Sequence, residues 1–277
     1  MDHATPFARV FLLGLFAVIV GMVLWAQSGK RFFIRRIPGL SAIDEAVGRS
    51  AEMGRPMLAS FGLGGLNAQE GVITLQALAI VSDVAEAAAR FGNRVIVPVR
   101  IPALMPVAEE ALREAYTRGG RPEAFQLDDL MFLSDRQFAY AAGVSGLINR
   151  EKVASIFLFG TFFAEALIIA ENGNRVGAVQ VAGTPSTTQV PFFIAACDYV
   201  LIGDEFYAAT AYLTRQPTLL GAIVGQDIGK AVLLFFILLG VVLTALNVPL
   251  VVNLFADQAV PWAEMLRPVA PAAGAGG

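Results

Sequence analysis

Three consecutive hydroxyls mark the stretch best equipped for chemistry. Ser186, Thr187 and Thr188 follow Pro185, where the apolar run Ala178–Ala182 ends in Gly183-Thr184. Read as a strand, a turn and a helix over Thr188–Ala196, the stretch sets hydroxyls beside the free N–H groups of a helix start. That arrangement suits an anion, an oxyanion or an activated nucleophile. Hydroxyls also cap helices with no chemistry attached. Asp198, in AACDYVLIGD, is the nearest carboxylate in sequence.

Glu165 is a second candidate, being the only charge in the eighteen-residue run Val153–Ala170. Buried carboxylates are rare unless paired, and an unpaired one holds its proton more tightly. Glu165 therefore reads either as a proton-handling or ligand-contacting group or as the ion-pair partner of Arg175 or another core arginine. A third candidate is the glycine loop FGLGGLNAQEG between a strand and a helix. Gly62 and Gly64 fit a dinucleotide-binding G-x-G-x-x-G, with Gly65 beside them. The third position, however, is Asn67, and the next strand ends in Arg100 where a ribose-reading acid belongs. A plain tight turn is the competing reading.

The rest of the inventory excludes several classes. His3 is the only histidine and Cys197 the only cysteine, so a His-based triad, a His/Cys zinc site and an internal disulfide are all ruled out. No cofactor and no metal is expected. A net charge of −3 with no basic face argues against nucleic acid as a partner.

The elements that would position these groups read as a membrane-anchored α/β protein. Of the 277 residues, 56% are hydrophobic and 16% charged, with mean hydropathy +0.63; soluble domains average roughly 25% charged. Val10–Ala26 carries no charge and with its flanks meets the ~20 residues a spanning helix needs. Lys30, Arg31, Arg35 and Arg36 follow it, which favours a retained anchor with this side in the cytoplasm. Ala231–Phe255 is the second expected span, preceded by Arg215 and Lys230, so both spans give one topology with both termini outside. Trp25 and Trp262 sit near span ends, as interface anchors do. The expected divisions are 1–29 for the first transmembrane helix, 30–55 for a juxtamembrane helix, 56–229 for the cytoplasmic domain, 230–255 for the second span and 256–277 for a disordered tail.

Between the spans, short apolar runs alternate with helices. Strands are expected at Pro56–Phe61, Arg94–Val99, Val153–Phe159, Ala178–Ala182 and Tyr199–Ile202. Helices are expected at Val72–Phe91, Met105–Thr117, Thr161–Glu171 and Phe206–Leu213, with a further one beginning at a Ser134/Gln137 capping box. Ser41 and Asp44 suggest another such box. This alternation predicts α/β: a mostly parallel sheet with helices on both faces, bracketed by two transmembrane helices. Val153–Ala170 as a third span is the alternative, disfavoured by Glu165 and by the break at Gly160.

The motifs AGTPSTTQVPFF, AACDYVLIGDE, AYLTRQP and GQDIGK resemble an uncharacterised family of bacterial two-span membrane proteins. The resemblance implies the same anchored architecture in the bacterial inner membrane and brings no activity with it. AACDYVLI is also similar to a turn and strand of the ClpP/crotonase superfamily. That likeness would set Thr188 near the nucleophile position, but this chain has neither the histidine nor the Gly-Gly signature, so it implies a related fold only. The functional expectation is a homo-oligomeric scaffold or assembly component, with the bilayer, copies of itself and other membrane proteins as partners. Small and aromatic residues at Ala139–Gly146 and Phe206–Leu213 are the expected contact surfaces. The alternative is a membrane-anchored enzyme or an anion or small-ligand sensor using the Gly183–Asp204 turn.

Overall fold

The structure, a computed structural model, describes residues 6–28, 38–67, 70–214 and 217–246. The basic cluster at 30–36, His3, Trp262, the end of the second expected span and the tail lie outside the described residues. The chain divides into two compact units, Ile34–Arg215 and the pair Met1–Phe33 with Gln216–Gly277.

The larger unit is an α/β domain. Its strands are β1 (Met57–Gly62), β2 (Val95–Val99), β3 (Leu130–Phe132), β4 (Ser155–Thr161), β5 (Val179–Thr184) and β6 (Tyr199–Ile202), and its helices are α2 (Pro38–Met53), α3 (Gly71–Phe91), α4 (Met105–Arg118), α5 (Gln137–Glu151), α6 (Glu165–Val176), α7 (Val190–Ala196) and α8 (Asp204–Thr214). All the pairings are parallel, in the order β3-β2-β1-β4-β5-β6. β1, β2 and most of β4 are buried on both sides, as the continuous apolar runs of a covered parallel sheet require. One core lies under α2, α3, α4 and α8, with Val81, Val84, Phe157, Phe159 and Phe206; the other lies under α5, α6 and α7, with Tyr140, Leu158, Ile169 and Phe193. The expected parallel sheet with helices on both faces is what the chain forms.

Several local expectations are corrected. β3 was not expected; it is a three-residue strand whose register is set by Val97, Pro98 and Val99 of its neighbour rather than by its own pattern. Neither expected capping box forms. α2 already begins at Pro38, so Ser41 lies inside the helix. α5 follows Arg136 with no side-chain cap. Val153–Ala170 is divided between β4, in the middle of the sheet, and α6.

The smaller unit contains α1 (Pro6–Gln27) and α9 (Pro217–Ala245). α9 begins well before Ala231, where the sequence pattern turns strongly apolar. Among the described residues three helices are long and apolar enough to cross a membrane: α1, α3 and α9. In α3, 56% of the most apolar window is buried within the domain, against 6% in α1 and 6% in α9. α3 is thus a core helix, and α1 and α9 carry the membrane-compatible surface.

Candidate functional site

The sheet order reverses direction between β1 and β4. The chain leaves β1 for α3 on one face and leaves β4 for α6 on the other, and in open parallel sheets ligands bind in the crevice this divergence creates. Glycines allow the two strand ends to approach closely. Gly62 has φ +84° and Gly160 has φ +108°. A Cβ on Gly62 would lie 2.6 Å from the Thr161 carbonyl oxygen, and one on Gly160 would lie 2.6 Å from that of Phe61. The pairing shifts register between Ser60 and Gly62, and the Leu63 N–H donates to the Thr161 carbonyl at 2.7 Å.

The glycine loop is closed by its own side chains. Asn67 Oδ1 accepts the Glu70 N–H at 2.8 Å, and the Glu70 carboxylate accepts the Gly65 N–H at 3.2 Å and the Asn67 amide at 3.3 Å. A carboxylate of the chain itself therefore lies where the loop would present its backbone to a phosphate. Gly64 leaves room for the buried Thr74 hydroxyl, whose Oγ1 would be 2.5 Å from a Cβ there; among the described residues neither Thr74 Oγ1 nor the nearby Thr161 Oγ1 has a hydrogen-bond partner. At the end of β2 the Arg100 guanidinium donates to the Leu63 carbonyl at 2.8 Å and to that of Asp135 at 2.9 Å. It ties two loops to the sheet edge.

Glu165, the first residue of α6, is fully buried. The expected arginine partner is not there, because Arg175 pairs instead with Glu171 at 2.9 Å. Glu165 Oε1 accepts the Phe163 N–H at 2.7 Å, and Oε2 accepts the Gln137 side-chain amide. Two hydrogen bonds thus replace the missing cation, one of them from the turn leading into its own helix. Gln137 is drawn to Glu165, which explains why it caps nothing in α5. Beside this pair the buried Tyr140 hydroxyl shares a 2.8 Å hydrogen bond with Ser60 and donates to the Pro98 carbonyl at 3.2 Å. Burial pushes its phenol above the ordinary range; the Ser60 hydrogen bond opposes that shift, and the Glu165 charge adds to it.

The hydroxyl turn follows β5 at the same edge of the sheet. Ser186 Oγ and Thr188 Oγ1 bond each other at 2.9 Å, and the Ser186 N–H donates to Thr184 Oγ1 at 3.2 Å. Thr187 and Thr188 are exposed. α7 is seven residues long and begins after Gln189, with no side-chain cap. The hydroxyls therefore brace their own turn and cap no helix. Asp198 lies at the opposite edge, where its carboxylate accepts the Gln180 N–H at 2.8 Å and joins the start of β5 to the approach to β6. Burial pushes the Cys197 thiol up to about 12, with the Asp198 charge adding to it.

The structure thus gathers Gly62, Gly64, Gly65, Glu165 and Ser186–Thr188 along one edge and leaves Asp198 apart. Ser60, Thr74, Gln137, Tyr140 and Thr161 were missed, because only the strand order brings them together. Among the described residues no group of three or more His, Cys, Asp or Glu side chains could hold a metal ion. What the edge does chemically is fix the ends of β1 and β4 by reciprocal hydrogen bonds.

A doubly wound parallel α/β domain, in one chain with two apolar helices compatible with a membrane, defines the class of protein. The chain belongs to the family described as Domain of unknown function (DUF6754), whose model matches residues 2–255. No curated protein and no solved structure matches it.

Proposed function

We propose that the protein is a membrane-anchored scaffold whose α/β domain assembles with copies of itself. The observation that carries this reading is an exposed apolar surface on adjoining elements of one side of the domain. Phe163, Leu167 and Ile168 of the α6 region, Phe192 and Ile194 of α7, and Ile202 of β6 are all exposed, Phe192 at 47% and Ile194 at 57%. α7 and β6 contain no charge. A contiguous apolar patch on a domain surface marks an interface, and an edge strand without charges or proline is open to pairing. α7 and β6, being without charge, meet their own copies without repulsion, which favours an isologous contact. Anchoring adds to this by holding copies in one plane at high effective concentration.

This surface differs from the one expected from Phe206–Leu213, since Phe206, Ala209 and Ala211 are buried within the fold. The basic residues at 30–36 support a cytoplasmic domain and outward termini in a bacterial inner membrane. The test is native mass measurement after mild detergent extraction, backed by crosslinking in membranes. Wild type is expected as a homo-oligomer, and Phe192→Asp with Ile194→Asp as smaller species with an unchanged melting temperature. A monomeric wild type in both measurements would refute the reading.

A further inference from the structure

Two buried hydroxyls at the switch point are unused among the described residues: Thr74 Oγ1 of α3 and Thr161 Oγ1 of β4. Thr74 is 1% exposed. A helical threonine at such depth ordinarily donates to the carbonyl four residues back. For Thr74 that is the Glu70 carbonyl, which accepts the Thr74 N–H at 2.9 Å, while Oγ1 is turned beneath Gly64. The point where a Gly64 Cβ would stand is 2.5 Å from Thr74 Oγ1, 3.4 Å from Thr161 Oγ1 and 3.5 Å from Glu70 Cβ. Two unused hydroxyls and the stem of one carboxylate therefore converge on the glycine loop.

That carboxylate already behaves as a ligand of the loop. Glu70 immediately precedes α3 and makes no side-chain cap to it. Its Oε2 instead accepts the Gly65 N–H and the Asn67 amide. The positive end of a 21-residue helix stands beside it. The Arg100 guanidinium donates to the carbonyl of Leu63, the neighbour of Gly64, and adds positive charge at the same place. A carboxylate has only two oxygens in one plane. Glu70 meets both loop donors with one of them and leaves both threonine hydroxyls unmet. A tetrahedral oxyanion has acceptor oxygens enough for both sets.

The geometry points to a phosphate group as the external ligand of this loop, bound by exchange with the Glu70 carboxylate. The Gly65 N–H and the Asn67 amide pass from Glu70 to the phosphate. The Thr74 and Thr161 hydroxyls have no bond to release and donate to its remaining oxygens. Glu70 is then an internal competitor that keeps the loop closed when phosphate is scarce. Asn67 in place of a third glycine, and Arg100 in place of a ribose-reading acid, fit a phosphomonoester and not a dinucleotide. The site lies within the α/β domain and does not draw on the self-assembly reading.

The test is calorimetric titration of the full chain in detergent with inorganic phosphate at pH 7.5, with acetate as the planar control. Glu70→Gln is expected to bind phosphate about tenfold more tightly than wild type, because the competitor loses its charge. Adding Thr74→Val is expected to weaken that binding by about tenfold, the loss of one hydrogen bond to a charged group. Its melting temperature without phosphate should not fall, since valine has nearly the same shape and removes an unsatisfied hydroxyl. Thr161→Val, titrated alongside in the Glu70→Gln background, should weaken binding likewise, and it decides if the Thr74→Val chain fails to fold. Glycerol 3-phosphate binding more tightly than a short-chain phosphatidic acid would assign the phosphate to a soluble monoester, and the reverse order to a lipid headgroup. Phosphate bound no more tightly by Glu70→Gln than by wild type, an affinity unchanged by the threonine substitutions, or acetate bound as tightly as phosphate would overturn the inference. Phe192→Asp with Ile194→Asp should bind phosphate as wild type does, so a monomeric wild type would remove the self-assembly reading and leave this one standing.

Discussion

Asp83 should weaken the domain at neutral pH, and removing its charge should reveal by how much. It lies on α3 among groups from several helices. Burial raises its pKa from 3.8 to about 6, with Glu86 and Asp44 adding to the shift and Arg90 and Arg118 opposing it. The folded state therefore holds the proton more tightly than the unfolded chain does. The stability this provides is fully present below pH 3.8 and is lost as pH rises through about 6. At roughly 1.4 kcal/mol per pKa unit, the cost of the charged form at pH 7.5 has a ceiling of about 3 kcal/mol. The side chain is only partly buried, and solvent screening reduces the figure to about 1–2 kcal/mol. Asp83→Asn should then raise the melting temperature by about 3–6 °C at pH 7.5, taking about 3 °C per kcal/mol for a domain of this size. At pH 4.5 the gain should fall to about a third of that, because above pH 3.8 the unfolded carboxyl is largely ionised while the folded one still holds its proton. Thermal unfolding of the intact protein in detergent, followed by far-UV circular dichroism at the two pH values, measures both numbers. Equal melting temperatures at pH 7.5, or a gain of the same size at both pH values, would refute the argument.

Four further outcomes are expected. Glu165→Ala leaves the Phe163 N–H and the Gln137 amide, both half-buried, without their acceptor; it should cost about 1–3 kcal/mol, whereas Glu165→Gln, which keeps an acceptor, should cost less than half of that by chemical unfolding. Gly160→Ala forces a Cβ to within 2.6 Å of the Phe61 carbonyl at φ +108°, so its melting temperature should fall by more than that of Gly146→Ala, where nothing lies within 4 Å. Cys197 should react with iodoacetamide at pH 8 at least about a hundredfold more slowly in the folded protein than in urea, as a thiol pushed up to about 12 has little thiolate. Cysteines placed at Ala4 or Gly276 should label with an impermeant maleimide in intact cells while one at Glu123 does not; labelling at Glu123 would reverse the proposed orientation.

The parts of the fold that were legible are those written in local pattern. β1, β2 and β4 are runs that must be buried on both faces, and the sequence shows them as unbroken apolar stretches. Gly160 ends one run where a positive φ is needed, which is why β4 and α6 were separable from a single long helix. β3 was illegible because three residues carry no period and its pairing is decided by β2. The strand order was illegible for the same reason, and with it the grouping of Ser60, Tyr140, Gln137 and Glu165, which come from β1, α5 and α6. The Ser134/Gln137 box shows local pattern overruled by tertiary contact: Gln137 has a buried carboxylate to satisfy, and that outweighs a cap. Asp198 was grouped with the hydroxyl turn by sequence proximity alone. One strand length divides them, because β5 begins beside Asp198 and ends at the turn.

Hydropathy located both apolar helices but was silent on their depth, which depends on a different set of residues. Apolar content makes insertion favourable wherever ~20 such residues occur. Which residues of α9 lie at mid-membrane depends instead on Gly221, Gly225 and Gly229. The absence of side chains there lets the α1 backbone approach, since a Cβ on Gly221 would lie 2.6 Å from Val23 Cα and one on Gly225 2.9 Å from Ile19 Cα. This register sets the start of α9 beside the end of α1, although the longest apolar run of α9 begins later, after Lys230. The two apolar runs are therefore offset along the membrane normal. If α1 is centred in the bilayer, Asp227 stands near mid-depth, where a carboxylate is costly against lipid. If the later run of α9 is centred instead, the apolar second half of α1 is lifted toward water. The glycine seam and the hydropathy of α9 thus call for different depths, and the packing of α1 against α9 follows the seam.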